Sequence, residues 1–451
     1  MFKMKTITLS LLALLLVMSF ASCASDTTSD LPLPSKDMKA YLQVKVTVEG
    51  SGDTRASRAT KGPQGGEGGD DREPGINHEN DVNSLTVLLY KSGKEDLSEA
   101  DATIDYVYTF TNLNKVTTSS GSDATYTTVP REIDASIVGK NYHVIVIANA
   151  DDMTSRCKGK ISEVRDLQMS KVCTRDADIT NFSNFIMSSK TDAMIDFTKE
   201  GSETNPYVVN VDIERLAARI DIIPNATYDD TNQGYYYNVM DGTNVVGGFK
   251  LESVTPTKVM TKGEYLIKRV SSDKAVSSVT YFGEEKMDAT TKASTNYVVC
   301  PWTNIHTSTT LSNAEGPTSL YNVKETTSTS TTVGTASYIL DYVMENTTTD
   351  NAEANSTGLI FKGKYYESSE WNATKKHPKA GFAGAEKEYT YTLRHSDPLG
   401  SGTTADPMHF GVVRNNIYQV KVEGVEGKSK GLKLTIHVVP WAHYDHGEVI
   451  Y

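Results

Sequence analysis

Apolar and polar residues alternate almost without fault over residues 41–49. Leu42, Val44, Val46 and Val48 share one face, and Gln43, Lys45, Thr47 and Glu49 the other. A period of two predicts a strand with one buried face. It runs into Gly50-Ser51-Gly52-Asp53-Thr54-Arg55-Ala56-Ser57-Arg58, a flexible basic stretch open to a protease. Residues 60–80 are rich in Gly, Pro and acids and predict a long mobile loop. Patterned chain resumes at residues 82–90, apolar on both faces in the middle, and continues at 105–110 and 126–129. Residues 140–150 predict a central strand, and 161–169 a short helix.

The pattern changes hand within residues 206–223. Tyr207, Val209, Val211 and Ile213 have one parity, and Leu216, Ala218, Ile220 and Ile222 the other. One strand cannot place both sets in one core. Either a bulge lies near Arg215 or the chain crosses there from one core to another; the second is preferred, with a domain boundary near 205–215. Further strands are predicted at 248–256, 295–300, 337–344, 359–366, 387–393, 416–422 and 432–438. Thr/Ser-rich residues 307–337 predict a loop. Many short strands parted by turn residues suggest sandwiches.

The chain has 451 residues, 38% hydrophobic and 23% charged, enough for two or three domains with ordinary cores. A net charge of −12 argues against a nucleic-acid partner. Twenty-four Tyr and plentiful Val and Thr favour β structure. At the start, Lys3 and Lys5 precede an apolar run at residues 9–17, too short to span a membrane as a mature helix. Phe20-Ala21-Ser22-Cys23 resembles a bacterial lipobox, which implies cleavage before Cys23 and a lipid on its thiol; the alternative is a plain secretory peptide. Residues 24–39 read as a tether. Cys157 and Cys173 enclose a loop short enough for a disulfide in an oxidising compartment, and spacing leaves the pairing open. Cys300 is expected to be a buried thiol. There is no CxxC pair to suggest a zinc cluster.

Several segments together resemble the FimA/Mfa-like fimbrillins, the pilus subunits of the Bacteroidales. They are the lipobox ending at Cys23; Glu79-Asn80-Asp81-Val82-Asn83-Ser84-Leu85-Thr86-Val87; Val146-Ile147-Ala148-Asn149-Ala150; Phe185-Ile186-Met187-Ser188; Glu214-Arg215-Leu216-Ala217-Ala218-Arg219-Ile220; Tyr342-Val343-Met344-Glu345-Asn346; Arg414-Asn415-Asn416-Ile417-Tyr418; and Val438-Val439-Pro440-Trp441. They stand in the family's order along nearly the whole mature chain. The resemblance implies an all-β protein of two tandem transthyretin-like, Greek-key β-sandwich domains. The divisions are then a signal at 1–22, a propeptide at 23–58, an N-terminal domain at 59–212 and a C-terminal domain at 213–451.

It further implies an outer-membrane lipoprotein precursor, palmitoylated at Cys23 and cut after Arg55 or Arg58 by an Arg-specific surface protease; Arg72 is a less favoured site. Loss of the strand carrying Leu42, Val44, Val46 and Val48 would open an edge for another chain. The donor is expected in the C-terminal tail, with Trp441, Val449, Ile450 and Tyr451 as anchors. Residues 432–438 alternate better but read equally as the last strand of their own domain. The expected partners are copies of the chain or other fimbrial subunits, and the expected role is a cell-surface fimbrium serving adhesion and biofilm formation.

Other chemistry is weakly signalled. His437, His443, Asp445 and His446 offer metal-ligand types, but solvated tail side chains are the expectation, since residues three apart on a strand face opposite sides. Glu67, Asp70 and Asp71 lack calcium-loop spacing and read as an acidic loop. No nucleophile elbow or phosphate loop is present, so no catalysis and no cofactor are expected. Trp302, Trp371 and Trp441 could stack on sugars in a monomeric glycan-binding lipoprotein, the main alternative, with a tip adhesin as a third; packing beside a core is the plainer reading. Glu214, Arg215 and Arg219 could mark a ligand site, but a wet strand face is the plainer expectation for alternating charges.

Overall fold

The computed structural model describes residues 39–48, 77–91, 102–116, 124–175, 182–189, 192–198, 201–229, 231–232, 234–266, 268–270, 279–281, 297–298, 311–312, 338–346, 353–394, 411–427 and 431–440. The first sheet is built from β1 (Ala40–Val48), β2 (Leu85–Tyr90), β3 (Ile104–Phe110), β4 (Leu113–Val116), β5 (Ala124–Thr128), β6 (Arg131–Ile133), β7 (Asn141–Ala148), β8 (Met187–Ser189), β9 (Ala193–Asp196) and β10 (Tyr207–Arg215). Its order is β3-β2-β7-β8-β10-β1-β5-β4, with β9 on β7 and β6 on β1. A short helix, α1 (Ile161–Arg165), lies between β7 and β8. The second sheet contains β11 (Ala217–Ile223), β12 (Gly234–Asp241), β13 (Asn244–Thr257), β14 (Tyr338–Met344), β15 (Gly358–Glu367), β16 (Ala385–Thr392), β17 (Asn416–Glu426) and β18 (Gly431–Pro440). Its order is β14-β11-β17-β12-β13-β15-β16, with β18 on β17. The protein is all-β and sandwich-like.

The change of parity after Ile213 is a change of sheet. β10 belongs to the first sheet and β11 to the second, with Leu216 alone between them. Leu216 and Ala217 pack in the first core, whereas Ala218, Ile220 and Ile222 pack in the second. β11 is therefore covered on both faces. β14 behaves likewise: Ile339, Tyr342 and Met344 face the first core, and Leu340 and Val343 the second. β12 escaped the sequence pattern because Tyr235, Tyr236, Tyr237 and Val239 are buried without a strict period of two, in a strand held between β13 and β17.

The seam between the two cores holds a buried polar network. Arg219, 1% exposed, forms a fork on Asp221, with Nε to Oδ1 at 3.0 Å and Nη2 to Oδ2 at 2.8 Å. Its Nη1 reaches Glu79 Oε1 at 3.2 Å. The Tyr342 hydroxyl also donates to Glu79, and burial drives that phenol well above its ordinary pKa. Arg215, fully buried, donates from Nε to the Glu79 carbonyl at 2.9 Å, from Nη1 to Asn415 Oδ1 at 3.1 Å, and from Nη2 to Asn80. The wet face expected for Glu214, Arg215 and Arg219 is thus corrected: the first unit covers the strand face that a lone sandwich would leave in water. Residues 77–80 also depart from the expected mobile loop. They form a 3-10 turn with Glu79 1% exposed and Asn80 9% exposed.

Around this network, Asn149 (φ 58°) donates to the carbonyls of Asp81 at 2.7 Å and Phe185 at 2.9 Å, and accepts from the Asn83 amide at 2.8 Å. Across the seam Arg175 bonds Asp341, and within the second unit Arg414 Nε bonds Glu345 at 3.2 Å. Burial holds the Asp341 carboxyl up at about 6, although Arg175 pulls it down.

Two outcomes follow from the seam. Arg219→Met leaves Glu79 and Asp221 buried without their cation and is expected to cost about 3–5 kcal/mol in denaturant unfolding. Asp341 keeps its proton to a higher pH when folded than when unfolded, where Asp titrates near 3.9. The folded state thus binds more protons between about pH 4 and 6, and this group's contribution to stability falls as pH rises through that window, by on the order of 2–3 kcal/mol. Urea midpoints from pH 4 to 7 should show that slope reduced in Asp341→Asn; an unchanged slope contradicts the assignment.

Candidate functional site

β1 is an interior strand although it is the first of the described elements and is followed by a long stretch before β2. On one side it runs parallel to β10, with Leu42, Val44, Val46 and Val48 opposite Tyr207, Val209, Val211 and Ile213. On the other it runs antiparallel to β5, Lys45–Val48 facing Thr127–Ala124, and to β6, Ala40–Leu42 facing Ile133–Arg131. Ala40, Leu42, Val44, Val46 and Val48 are at most 1% exposed and belong to the first core. The alternation read from the sequence therefore gives both the strand and its buried face. Each aliphatic side chain buried in full contributes roughly 1.5–3 kcal/mol, which makes β1 part of the core and not an appendage.

The groove it fills has two unlike walls. β10 is a continuous parallel ladder over seven residue pairs. The opposite wall breaks between Thr128 and Arg131, where Val129 turns outward, 50% exposed, and Pro130 has no amide hydrogen. At the break the Thr128 hydroxyl accepts from the Val44 amide at 2.9 Å, and the Thr128 carbonyl accepts from Gln43 Nε2 at 3.0 Å. Tyr126, beneath Val46, donates its hydroxyl to the Asn80 carbonyl at 3.0 Å. Burial, with Asp81 close by, pushes that phenol up to about 12, so it remains a donor at neutral pH. At the open end the Tyr41 amide donates to the Gly201 carbonyl at 3.2 Å, and exposed Lys39 pairs with Glu132 at 3.0 Å. That hydrogen bond to Glu132 raises the Lys39 pKa.

The remaining expectations divide. Cys23, Arg55, Arg58, Arg72, Trp441, Val449, Ile450 and Tyr451 lie outside the described residues, as do Glu67, Asp70, Asp71, Cys300, Trp302, His443, Asp445 and His446. Cys157 and Cys173 are free, buried thiols, which burial pushes up to about 11 and 12. They stay protonated and inert as nucleophiles. Trp371 is 4% exposed and donates from Nε1 to Asn238 at 2.7 Å, packed with Tyr236 and Tyr366, so its ring offers no platform to a sugar. Among the described residues no group of three His, Cys, Asp or Glu is placed to hold a metal ion, and no helix is long and apolar enough to cross a membrane. β18 pairs antiparallel with β17 from Gly431 to Pro440, so the best alternating C-terminal segment is the last strand of its own sheet.

Sequence reading missed the role of Thr128. Its one signal was a Thr two residues before a Pro inside a strand pattern, and that does not tell which neighbour the hydroxyl meets.

Among curated proteins none matches this chain. Among solved structures, it is similar to a candidate cell adhesion protein from Parabacteroides distasonis, at 15% identity and a TM-score of 0.46, over 89% of this chain and 97% of that one. It is similar also to the tip fimbrial protein Mfa3 of Porphyromonas gingivalis with a C-terminal truncation, at 13% identity and a TM-score of 0.37, over 89% of this chain and 100% of that one. A fimbrial assembly protein from Parabacteroides distasonis is a third, at 10% identity and a TM-score of 0.37, over 88% and 95%. Residues 40–235, the stretch that holds β1 and both walls of its groove, match the family described as major fimbrial subunit protein (FimA).

Proposed function

We propose that the chain is a fimbrial shaft subunit activated by removal of its own first strand. It is exported as a lipoprotein on Cys23 and held at the outer membrane until an Arg-specific surface protease cuts after Arg55 or Arg58. β1 then leaves, and the C-terminal tail of the next copy enters, anchored by Trp441, Val449, Ile450 and Tyr451. The resulting fibre serves adhesion and biofilm formation.

The observation that carries this reading is the placement of β1. An interior strand with five buried inward residues is joined to the rest of the fold only through the stretch that contains Arg55 and Arg58. While that tether is whole, β1 is an intramolecular competitor at high effective concentration, and no free tail displaces it. Cutting removes the advantage and leaves a groove lined by the main chains of β10, β5 and β6 and by apolar side chains, a template for strand addition. The remainder is braced against the loss, because Arg215, Arg219 and Tyr342 hold the turn at Asn77–Asn80. The commitment of β18 to β17 favours residues beyond Pro440 as the donor.

The double variant Arg55→Gln/Arg58→Gln is expected to stay monomeric at the membrane with its lipid attached, as read by the size of surface-extracted material on a denaturing gel run without boiling. Ladders of polymer from that variant would contradict the cleavage sites.

A further inference from the structure

A polar reading point lies where one wall of the groove is interrupted. β5 and β6 are not one continuous strand: Lys45 pairs with Thr127 and Leu42 with Arg131, so three wall residues, Thr128, Val129 and Pro130, stand opposite only Gln43 and Val44. This is a bulge, and it leaves a stretch of wall where the ladder cannot run. The Val44 amide points at that gap from a residue with no exposed surface. Pro130 cannot mend the ladder, and Val129 faces away, its amide turned to the Asn112 carbonyl at 3.5 Å. The inward-facing hydroxyl of Thr128, itself 1% exposed, supplies the missing acceptor, and its carbonyl takes the Gln43 side-chain amide. A threonine on the core side of a strand is otherwise a poor choice, because its hydroxyl must find a partner there.

We propose that Thr128 is the residue that retains and selects the strand in the groove. Resting on the strand-exchange reading above, the same residue then meets the donor tail of a second copy. It accepts only a strand that presents a main-chain N–H from an inward apolar residue, and it favours a side-chain donor one position earlier on the outer face. Proline at the reading position is excluded. The segment from Trp441 to Tyr451 contains no proline and meets that requirement. A shift by one residue turns the polar face inward, and a shift by two removes the Gln43 contact, so the point biases register as well as identity.

The test uses the full chain cut in its linker by an arginine-specific protease, with departure of the N-terminal fragment followed by mass spectrometry. Thr128→Val keeps the side-chain shape and removes the acceptor; the fragment is expected to leave roughly tenfold to a hundredfold faster than from the wild type, and Thr128→Ser to restore wild-type retention. A synthetic peptide of residues 40–48 should outcompete the same peptide bearing an ester in place of the Val44 amide by a similar factor in the wild type, and by almost none in Thr128→Val. An ester penalty of equal size in both proteins overturns the proposal, because a merely destabilised fold would not couple to that one hydrogen. If no fragment leaves the cut wild type, strand exchange fails, and residue-resolved amide exchange of the uncut chain decides for Thr128. Selective acceleration at Val44 over Val46 in Thr128→Val, absent in Thr128→Ser, sustains its hold on the strand. Uniform rates overturn it.

Discussion

The structure turns on a buried charge cluster between two cores. Arg215 and Arg219 lie on either side of Leu216, where the chain leaves one sheet for the other. Guanidinium groups taken out of water are tolerable only where every donor finds an acceptor, and Glu79, Asp221, Asn80, Asn415 and the Glu79 carbonyl supply them. The contributors come from widely separated parts of the chain. The network therefore fixes how the two units face each other. It also explains why the segments that carried the family resemblance are scattered in sequence: Glu79, Asn149, Phe185, Arg215, Arg219, Tyr342 and Asn415 gather about this seam.

That arrangement separates two tasks within the first sheet. The segment from Asn77 to Asp81 is held by side chains of the seam, whereas β1 is held by main-chain ladders and apolar burial, with further contacts at Thr128, Gly201 and Glu132. On the proposed reading, a strand bound in this way is exchanged for another of suitable pattern, since backbone pairing carries little sequence of its own and the pockets take apolar side chains in alternation. The unlike walls set a polarity: a replacement that keeps both ladders runs parallel to β10 and antiparallel to β5 and β6.

The parts of this account that rest on a period of two were legible in the sequence. β1 with its buried face, the apolar β2 and β7, and β18 all follow from alternation or from short apolar runs. The parity change after Ile213 marked the passage between sheets. What could not be read was anything that depends on what covers a face. Arg219 alternates like a solvent-facing residue and is buried because a second unit lies over it; Glu79 and Asn80 end a stretch of loop-like composition and are anchored by arginines far along the chain. Thr128 needed the register of β5 and β6 against β1, which no local pattern contains. β12 was missed for a related reason, since three successive tyrosines in a strand with a neighbour on each side erase the alternation.

The central claim is that β1 is removed and its groove filled anew. The most direct measurement is the N-terminal residue and intact mass of the protein recovered from the cell surface. The account predicts a chain beginning at Ala56 or Ala59 and carrying no lipid. A lipidated chain beginning at Cys23, with residues 40–48 still in place, would contradict it and leave a membrane-held protein whose first strand is a permanent part of its core.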